Sequence, residues 1–201
     1  MSISRSPRCR QAGLTIIELI MFIVIVSVGI VGILAVLNVT AGSSADSMIR
    51  KNMLSIAEAL LEEVELMPFT YCDPTDPNAS TATSTAGCTA NYVEELGVLI
   101  SSAEAGQARS STTAPFNNVN DYYVSGGLSL ASPVSDISGI YSAPPGYGAT
   151  IQIVAENLND IISTSAGATM EALRIAVTVS HGSDSITLES YRARHSPNFL
   201  P

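Results

Sequence analysis

Charged side chains are scarce in this chain of 201 residues, since they make up 13% of it against about 25% in an average globular protein. Basic residues are the scarcer kind: nine Lys and Arg stand against 18 Asp and Glu, a formal net charge of −9. Affinity for nucleic acid comes largely from clustered Lys and Arg. A nucleic-acid partner is therefore not expected.

Histidine and cysteine are also few, with two and three copies. His181 and His195 offer too few ligands, at unsuitable spacings, to complete a zinc site with the cysteines. Serine is abundant, but no serine lies in the sequence pattern of a hydrolase nucleophile. The sequence predicts no metal site, no cofactor and no catalytic residue, so the protein is not expected to be an enzyme.

Charge is absent altogether from Leu19 to Ala45, and Ser27 is the one polar residue between Leu19 and Leu37. This run meets the roughly 20 apolar residues that a helix needs to cross a bilayer. Three arginines precede it, at positions 5, 8 and 10. Because cytoplasmic flanks are enriched in Arg and Lys, we expect a single span with a cytoplasmic N-terminus and an exported remainder. Gly29, Gly32 and Gly42 indicate either close helix packing or sites of local unwinding.

An amphipathic pattern follows the apolar run and predicts that one helix extends from Leu14 to Met67. Pro68 should end it, because proline lacks an amide hydrogen and disfavours helical geometry in the residue before it. Apolar residues recur at steps of three and four, the spacing of one helical face. They are Ile49, Met53, Ile56, Leu60, Val64 and Met67.

The last third of the chain alternates apolar and polar residues with a period of two, which is typical of strands. Strands are predicted at 149–155, 173–180 and 186–189, with the last two joined by a four-residue turn at 181–184. Their apolar face needs a cover, and the amphipathic half of the helix needs a surface to bury. The sequence thus predicts an α+β unit. Residues 68–148 are expected to be rich in loops, with a short helix from Tyr92 to Ala103.

Cys72 and Cys88 are the two cysteines of the exported part, since Cys9 lies in the basic leader. They flank a segment, 73–87, that has almost no apolar content of its own. We predict a disulfide between them, and closing a loop of this size stabilises a fold by roughly 3 kcal/mol in the chain-entropy model.

A carboxylate interrupts the start of the apolar run, where the sequence reads Gly13-Leu14-Thr15-Ile16-Ile17-Glu18-Leu19. A charge near mid-bilayer costs roughly 2.5 to 3.5 kcal/mol on insertion scales, so such groups usually have a partner. The other interpretation is that Glu18 lies at the cytoplasmic headgroups and is solvated.

This segment resembles the cleavage and methylation signature of type IV prepilins and of the pseudopilins of type II secretion. The shared features are the basic leader, Gly13, an apolar first mature residue and Glu18 five positions after the glycine. Leu14 departs from the phenylalanine of most members, and the apolar run lacks the proline found in many major pilins. The resemblance implies cleavage after Gly13 by prepilin peptidase, N-methylation of Leu14, and pairing of Glu18 with the new amino terminus of a neighbouring subunit in a filament.

Shorter motifs resemble the minor pilins of the mannose-sensitive haemagglutinin pilus. They are Leu60-Leu61-Glu62-Glu63, Pro68 to Pro74, Asn118 to Tyr122 and Ser190-Tyr191-Arg192. The resemblance implies a pilin-like fold divided into a leader (1–13), a filament-core helix (14–45), its amphipathic half (46–67), a loop-rich region (68–148) and a sheet with a tail (149–201). It also implies an inner-membrane subunit that joins other pilin subunits in an extracellular pilus.

Two groups of oxygen-bearing side chains invite comparison with calcium loops: Asp73, Asp76 and Asn78, and Asn118, Asn120 and Asp121. Neither group has the spacing of a known calcium loop, so turn-forming and capping roles are predicted. The function expected is that of a structural minor pilin. The alternatives are a minor pseudopilin, or an exported periplasmic protein whose apolar run is a signal peptide cut after Ala41.

Overall fold

The computed structural model describes residue 13 and residues 15–97 and 106–195. The chain divides into two compact units, residues 1–48 and residues 49–201. One α-helix, α1, covers Ile16–Glu65, and short 3-10 helices lie at Thr85–Gly87, Val119–Tyr122 and Gly167–Thr169. The strands are β1 (Leu128–Leu130), β2 (Tyr147–Ala155), β3 (Ala172–His181) and β4 (Asp184–Ala193). The leader before Gly13, Leu14, residues 98–103 of the predicted short helix and the tail beyond residue 195 lie outside the described residues.

The first unit contains the apolar part of α1. Residues Ile16–Asn38 have a mean hydropathy of 3.1, and none of their side chains is buried within the chain. This segment is long and apolar enough to cross a membrane. Between Glu18 and Asn38 the one polar side chain, Ser27, donates its hydroxyl to the Ile23 carbonyl at 2.7 Å, so it brings no unpaired donor into an apolar environment.

The second unit buries the predicted face of the amphipathic half of α1. Met53, Leu60 and Val64 are buried, and Ala57 joins them, while the remaining predicted positions pack against the same core. The helix ends at Glu65 rather than Met67, three residues before Pro68. The Met67 amide donates to the Val64 carbonyl at 3.2 Å, so the chain tightens into one last turn before the proline.

The sheet has four antiparallel strands in the order β1-β2-β3-β4, where the sequence predicted three. The additional strand, β1, has only three residues, too few for an alternating pattern to be recognised. The predicted four-residue turn is also shorter, because His181 and Asp184 are paired. Only Gly182 and Ser183 remain in the turn, and Gly182 has a φ of +61°, as the first position of a type II′ hairpin turn requires.

The core of the second unit lies between α1 and one face of the sheet. Alternate residues of the two central strands supply that face, as the period of two predicted. Burying side chains of this kind contributes about 25 cal/mol for each Å² of apolar surface removed from water. The strand residues of the buried cluster are Tyr147, Ala149, Ile151, Ile153, Leu173, Ile175, Val177 and Val179.

The predicted helix from Tyr92 to Ala103 is wrong over the part that the structure describes. Residues 92–97 are not helical, and Val93 forms an isolated antiparallel bridge with Cys72. The Asp73 amide donates to the Tyr92 carbonyl at 2.8 Å, and the Glu94 amide donates to the Tyr71 carbonyl at 3.0 Å. Because these bonds satisfy the backbone with an extended partner, a helix does not form here.

Candidate functional site

The predicted processing junction lies at the start of the first unit. Gly13 is exposed, and a β-carbon placed on it would meet no atom within 4 Å. The space around it would admit larger residues, so the fold itself gives no reason for glycine at this position. Leu14, the predicted methylated residue, lies outside the described residues.

Glu18 lies in the first turn of α1 and is exposed. Its amide donates to the Thr15 hydroxyl at 3.4 Å, and the Leu19 amide donates to the Thr15 carbonyl at 3.1 Å. Thr15 is therefore the N-cap, which the sequence interpretation missed although Thr-x-x-Glu is the pattern of a capping box. A carboxylate in the first turn also interacts favourably with the helix dipole, so Glu18 has a local role besides the predicted one in assembly.

The helix runs without interruption through Gly29, Gly32 and Gly42. A β-carbon at Gly29 or Gly32 would meet nothing within 4 Å. Packing inside the first unit thus does not require glycine at these two positions. Close packing against other helices and local unwinding both stay predictions.

The predicted disulfide is confirmed: Cys72 and Cys88 are bonded, and their α-carbons are 5.4 Å apart. Ala79 and Ala82 pack with Cys72 in a small separate cluster. An Asp76 carboxylate oxygen lies within 4.8 Å of both sulfurs. The sulfurs are bonded to each other, however, and cannot serve as thiolate ligands.

Asp73 and Asp76 shape the disulfide loop by forming turns. Asp73 accepts from the Thr75 amide at 2.6 Å, and Asp76 accepts from the Asn78 amide at 3.0 Å. Asp76 also accepts from the amide and the hydroxyl of Thr89, both at 2.7 Å. Burial alone would raise the pKa of Asp76, but the hydrogen bonds from Asn78 and Thr89 outweigh it and leave that pKa below its ordinary value of 3.8.

The second candidate calcium group likewise has a capping role. Asn118 and Asp121 form a capping box at the N-terminal end of the 3-10 helix Val119–Tyr122. The side-chain amide nitrogen of Asn118 donates to the Thr70 hydroxyl at 2.8 Å. The Val119 amide donates to the Pro68 carbonyl at 3.0 Å. Two of the motifs that resemble minor pilins thus contact each other directly.

The other two short motifs meet beside the same stretch of chain. Arg192 donates to the Met67 carbonyl at 2.9 Å, at the residue before Pro68. Tyr122 donates its hydroxyl to Glu63 at 2.7 Å. All four motifs therefore lie near the end of α1, although they are spread from Leu60 to Arg192 along the sequence.

A buried ion pair, which the sequence interpretation missed, holds the end of α1 against the rest of the second unit. Arg109 bonds Glu63 through two nitrogens, at 2.5 and 2.6 Å, and both side chains are largely buried. Arg109 also donates to the Ser135 carbonyl at 2.8 Å. Burial and the nearby Glu63 charge raise the pKa of Tyr122. The sequence held only part of the signal: Arg109 is the one basic residue between Lys51 and Arg174, which marks it as a candidate for an ion pair without indicating which carboxylate it meets.

A second buried cation follows β4. Arg194 lies between the rings of Phe69 and Tyr71, with its guanidinium carbon 4.6 Å from each ring centre. It donates to the Gly167 carbonyl at 2.8 Å. Burial lowers the pKa of Arg194, and cation–π contact with two rings offsets part of the cost of removing it from water.

These contacts build a scaffold around the end of α1, while the predicted processing and assembly residues lie in the other unit. No known protein-family model matches this chain, and no curated protein or solved structure matches it either.

Proposed function

We propose that this protein is a structural minor pilin of a type IV pilus resembling the mannose-sensitive haemagglutinin system. Prepilin peptidase would cleave it after Gly13 and methylate Leu14. The subunit would wait in the inner membrane and then join other pilin subunits, with its acidic second unit outside the cell.

One observation carries this proposal. A predominantly apolar helical segment of 23 residues, Ile16–Asn38, has no buried side chain within its own chain, and it begins within the Gly13-to-Glu18 pattern. Such a surface needs lipid or other apolar helices around it. A pilin supplies both in turn, first the bilayer and then the helices of the filament.

Glu18 would select the filament register in this scheme. Among the described residues it has no ion-pair partner, and removing it from water requires a cation. The amino terminus of Leu14 on an adjacent subunit is the cation that the family resemblance provides.

The mass of the mature amino terminus tests the processing step. A methylated Leu14 terminus supports the proposal, and a Gly42 terminus would instead indicate a conventional signal peptide. Gly13→Val should leave the leader attached, because a bulky residue blocks the junction, whereas Gly13→Ala should be partly tolerated. Presence of the mature subunit in purified secretion pseudopili rather than in pili would favour the pseudopilin alternative.

The role of Glu18 is tested by the ratio of filament-associated to membrane-retained protein. Glu18→Ala should leave cleavage after Gly13 largely intact and reduce incorporation at least about tenfold, the effect of roughly 1.4 kcal/mol. Thr15→Ala is the matched control, because it removes the helix cap and keeps the charge. Normal incorporation of the Glu18→Ala subunit would contradict charge pairing and favour a solvated carboxylate at the headgroups.

A further inference from the structure

The outer edge of β2 is only partly covered by β1. Pairing between the two strands covers Ala149, Thr150 and Ile151, and β2 continues to Ala155. Directly before β1, the chain bends away from the sheet edge at Gly126 and Gly127, whose φ angles are +88° and +97°. A β-carbon on Gly127 would lie 2.7 Å from the Thr150 side chain, so a larger residue could not occupy this bend without a shift.

The register shows which backbone groups face the uncovered edge. The Glu156 amide donates to the Ala172 carbonyl at 3.2 Å. The backbone N–H and C=O groups of even-numbered residues in β2 therefore point toward β3, and those of odd-numbered residues point toward the opposite edge. Ile151 therefore pairs with β1, and Ile153 and Ala155 follow it along the open edge. Within the described part of the chain, no backbone hydrogen bond satisfies the groups of Ile153 and Ala155 on that side. Ile153 is only 2% exposed, and buried backbone groups without partners are rare because they are costly.

A groove of about 410 Å³ runs along this edge. Its floor is β2 from Gln152 to Ala155, one wall contains Tyr123 and Val124, and the other contains Ser163 to Ser165. None of the residues that line it is charged. A charged side chain placed there would thus lose water without gaining a counterion.

We propose that this groove binds an extended, uncharged peptide segment of a partner protein, which adds to the sheet in line with β1. Unpaired N–H and C=O groups on a strand edge recognise an extended backbone, as in other cases of strand addition. The open stretch of four residues accommodates about 13 Å of strand at 3.3 Å per residue. The hydroxyls of Ser163 and Thr164 are bonded within the chain, so the small side chains of this wall and the apolar opposite wall favour a segment in which small and apolar residues alternate. This inference does not rest on the proposed pilin function.

The test uses the full chain in detergent micelles and a capped hexapeptide, acetyl-Thr-Val-Ser-Val-Thr-Ser-amide, as the probe. Amide hydrogen exchange is followed by NMR. In the free protein, the Ile153 and Ala155 amides should exchange at least about tenfold faster than the Ile151 amide, and saturating peptide should slow them by a similar factor. The same peptide methylated on every backbone nitrogen should give no protection, because the methyl groups remove its donors and keep its carbonyls from approaching the Ile153 and Ala155 amides.

Two matched variants distinguish peptide binding in this groove from nonspecific binding elsewhere on the protein. Ser165→Trp fills the groove at an exposed position and should weaken peptide binding at least about tenfold. Thr187→Trp places the same side chain on β4, the opposite edge strand, and should leave binding unchanged. Equal binding of the methylated peptide, or full affinity in the Ser165→Trp variant, would overturn the proposal. So would Ile153 and Ala155 amides that are already as protected as that of Ile151, since another segment of this chain would then occupy the groove.

Discussion

The two units place a carboxylate of α1 in opposite situations. Glu63 is held by Arg109 and Tyr122, and its side chain is 12% exposed. Glu18 is exposed, and no cation of the described chain contacts it. The apolar residues differ in the same way: those near Glu63 form a core, whereas none of those from Leu19 to Leu37 is buried within the chain.

This difference follows from what covers the apolar residues of each unit, which is the chain's own sheet in the second unit and a surrounding outside the chain in the first. The second unit repeats apolar residues at helical spacing because its partner, the sheet, covers one face only. In the first unit, the helix from Leu19 to Leu37 is apolar on all sides, which suits a surrounding of lipid or other helices. Changes in the second unit should therefore alter its own stability, while changes in the first should alter association.

The largest effect is expected at the buried ion pair. Glu63→Ala or Arg109→Ala should each destabilise the second unit by about 3 to 5 kcal/mol, because the remaining charge stays buried without its partner. The exposed neighbour Glu62→Ala is the control and should change stability by less than about 0.5 kcal/mol. Near-UV circular dichroism during urea unfolding reports on this unit selectively, since all seven tyrosines lie beyond residue 70. Equal unfolding midpoints for Glu62→Ala and Glu63→Ala would contradict the prediction.

Loss of the disulfide should rank second. Cys72→Ser with Cys88→Ser removes a constraint of roughly 3 kcal/mol in the chain-entropy model. Hydrogen exchange should accelerate more in residues 73–87 than in β3, because the strands have their own core. Labelling of both thiols in the denatured, non-reduced wild-type protein would show that the bond is absent.

Acid sensitivity at Asp76 should be smaller. Its folded pKa lies below 3.8, so the carboxylate contributes stability above the unfolded pKa and this contribution is lost as pH falls through the folded pKa. Asp76→Asn should lower stability at pH 7 and flatten the dependence of stability on pH below about 4. Thr89→Val removes one of the donors and should give a weaker form of the same change. An unaltered acid unfolding curve for Asp76→Asn would refute the assignment.

The smallest effect should come from removing the first unit. A fragment that begins at Asp46 should unfold cooperatively, because the buried face of α1 and the sheet are both retained. Differential scanning calorimetry of the oxidised fragment checks this. A fragment without a cooperative transition would mean that the second unit depends on the apolar segment or on neighbouring subunits.

Periodicity predicted the parts of the fold that rest on local pattern. The helix face was recognised from Met53, Leu60 and Val64, and β3 from its alternating residues, because each position repeats the period of its element. β1 was missed because three residues cannot show a period. The extended path through Val93 was missed because its partner, Cys72, is distant in sequence.

The features of the candidate site likewise divide into those that the sequence shows by itself and those that depend on a distant or external partner. The disulfide could be predicted because only two cysteines, Cys72 and Cys88, follow the apolar run. Arg109 with Glu63 and Arg194 with two aromatic rings could not be paired from sequence, since several carboxylates and rings were available to each cation. The roles of Gly13, Leu14 and Glu18 stay predictions, because they concern contacts with an enzyme and with other subunits.

The position of Arg194 has a topological consequence. Phe69 and Tyr71 lie near the start of the non-helical part of the chain, and Arg194 comes after its last strand, yet Arg194 contacts both rings. The intervening polypeptide therefore forms a long loop that is closed by the contacts of Arg194 with the two rings. Closing a loop this long costs only a little more entropy than closing a much shorter one, because the cost grows with the logarithm of length. Loops between residues 72 and 193 can therefore be lengthened with little entropic penalty, whereas Arg194→Ala would loosen the start and the end of this segment together.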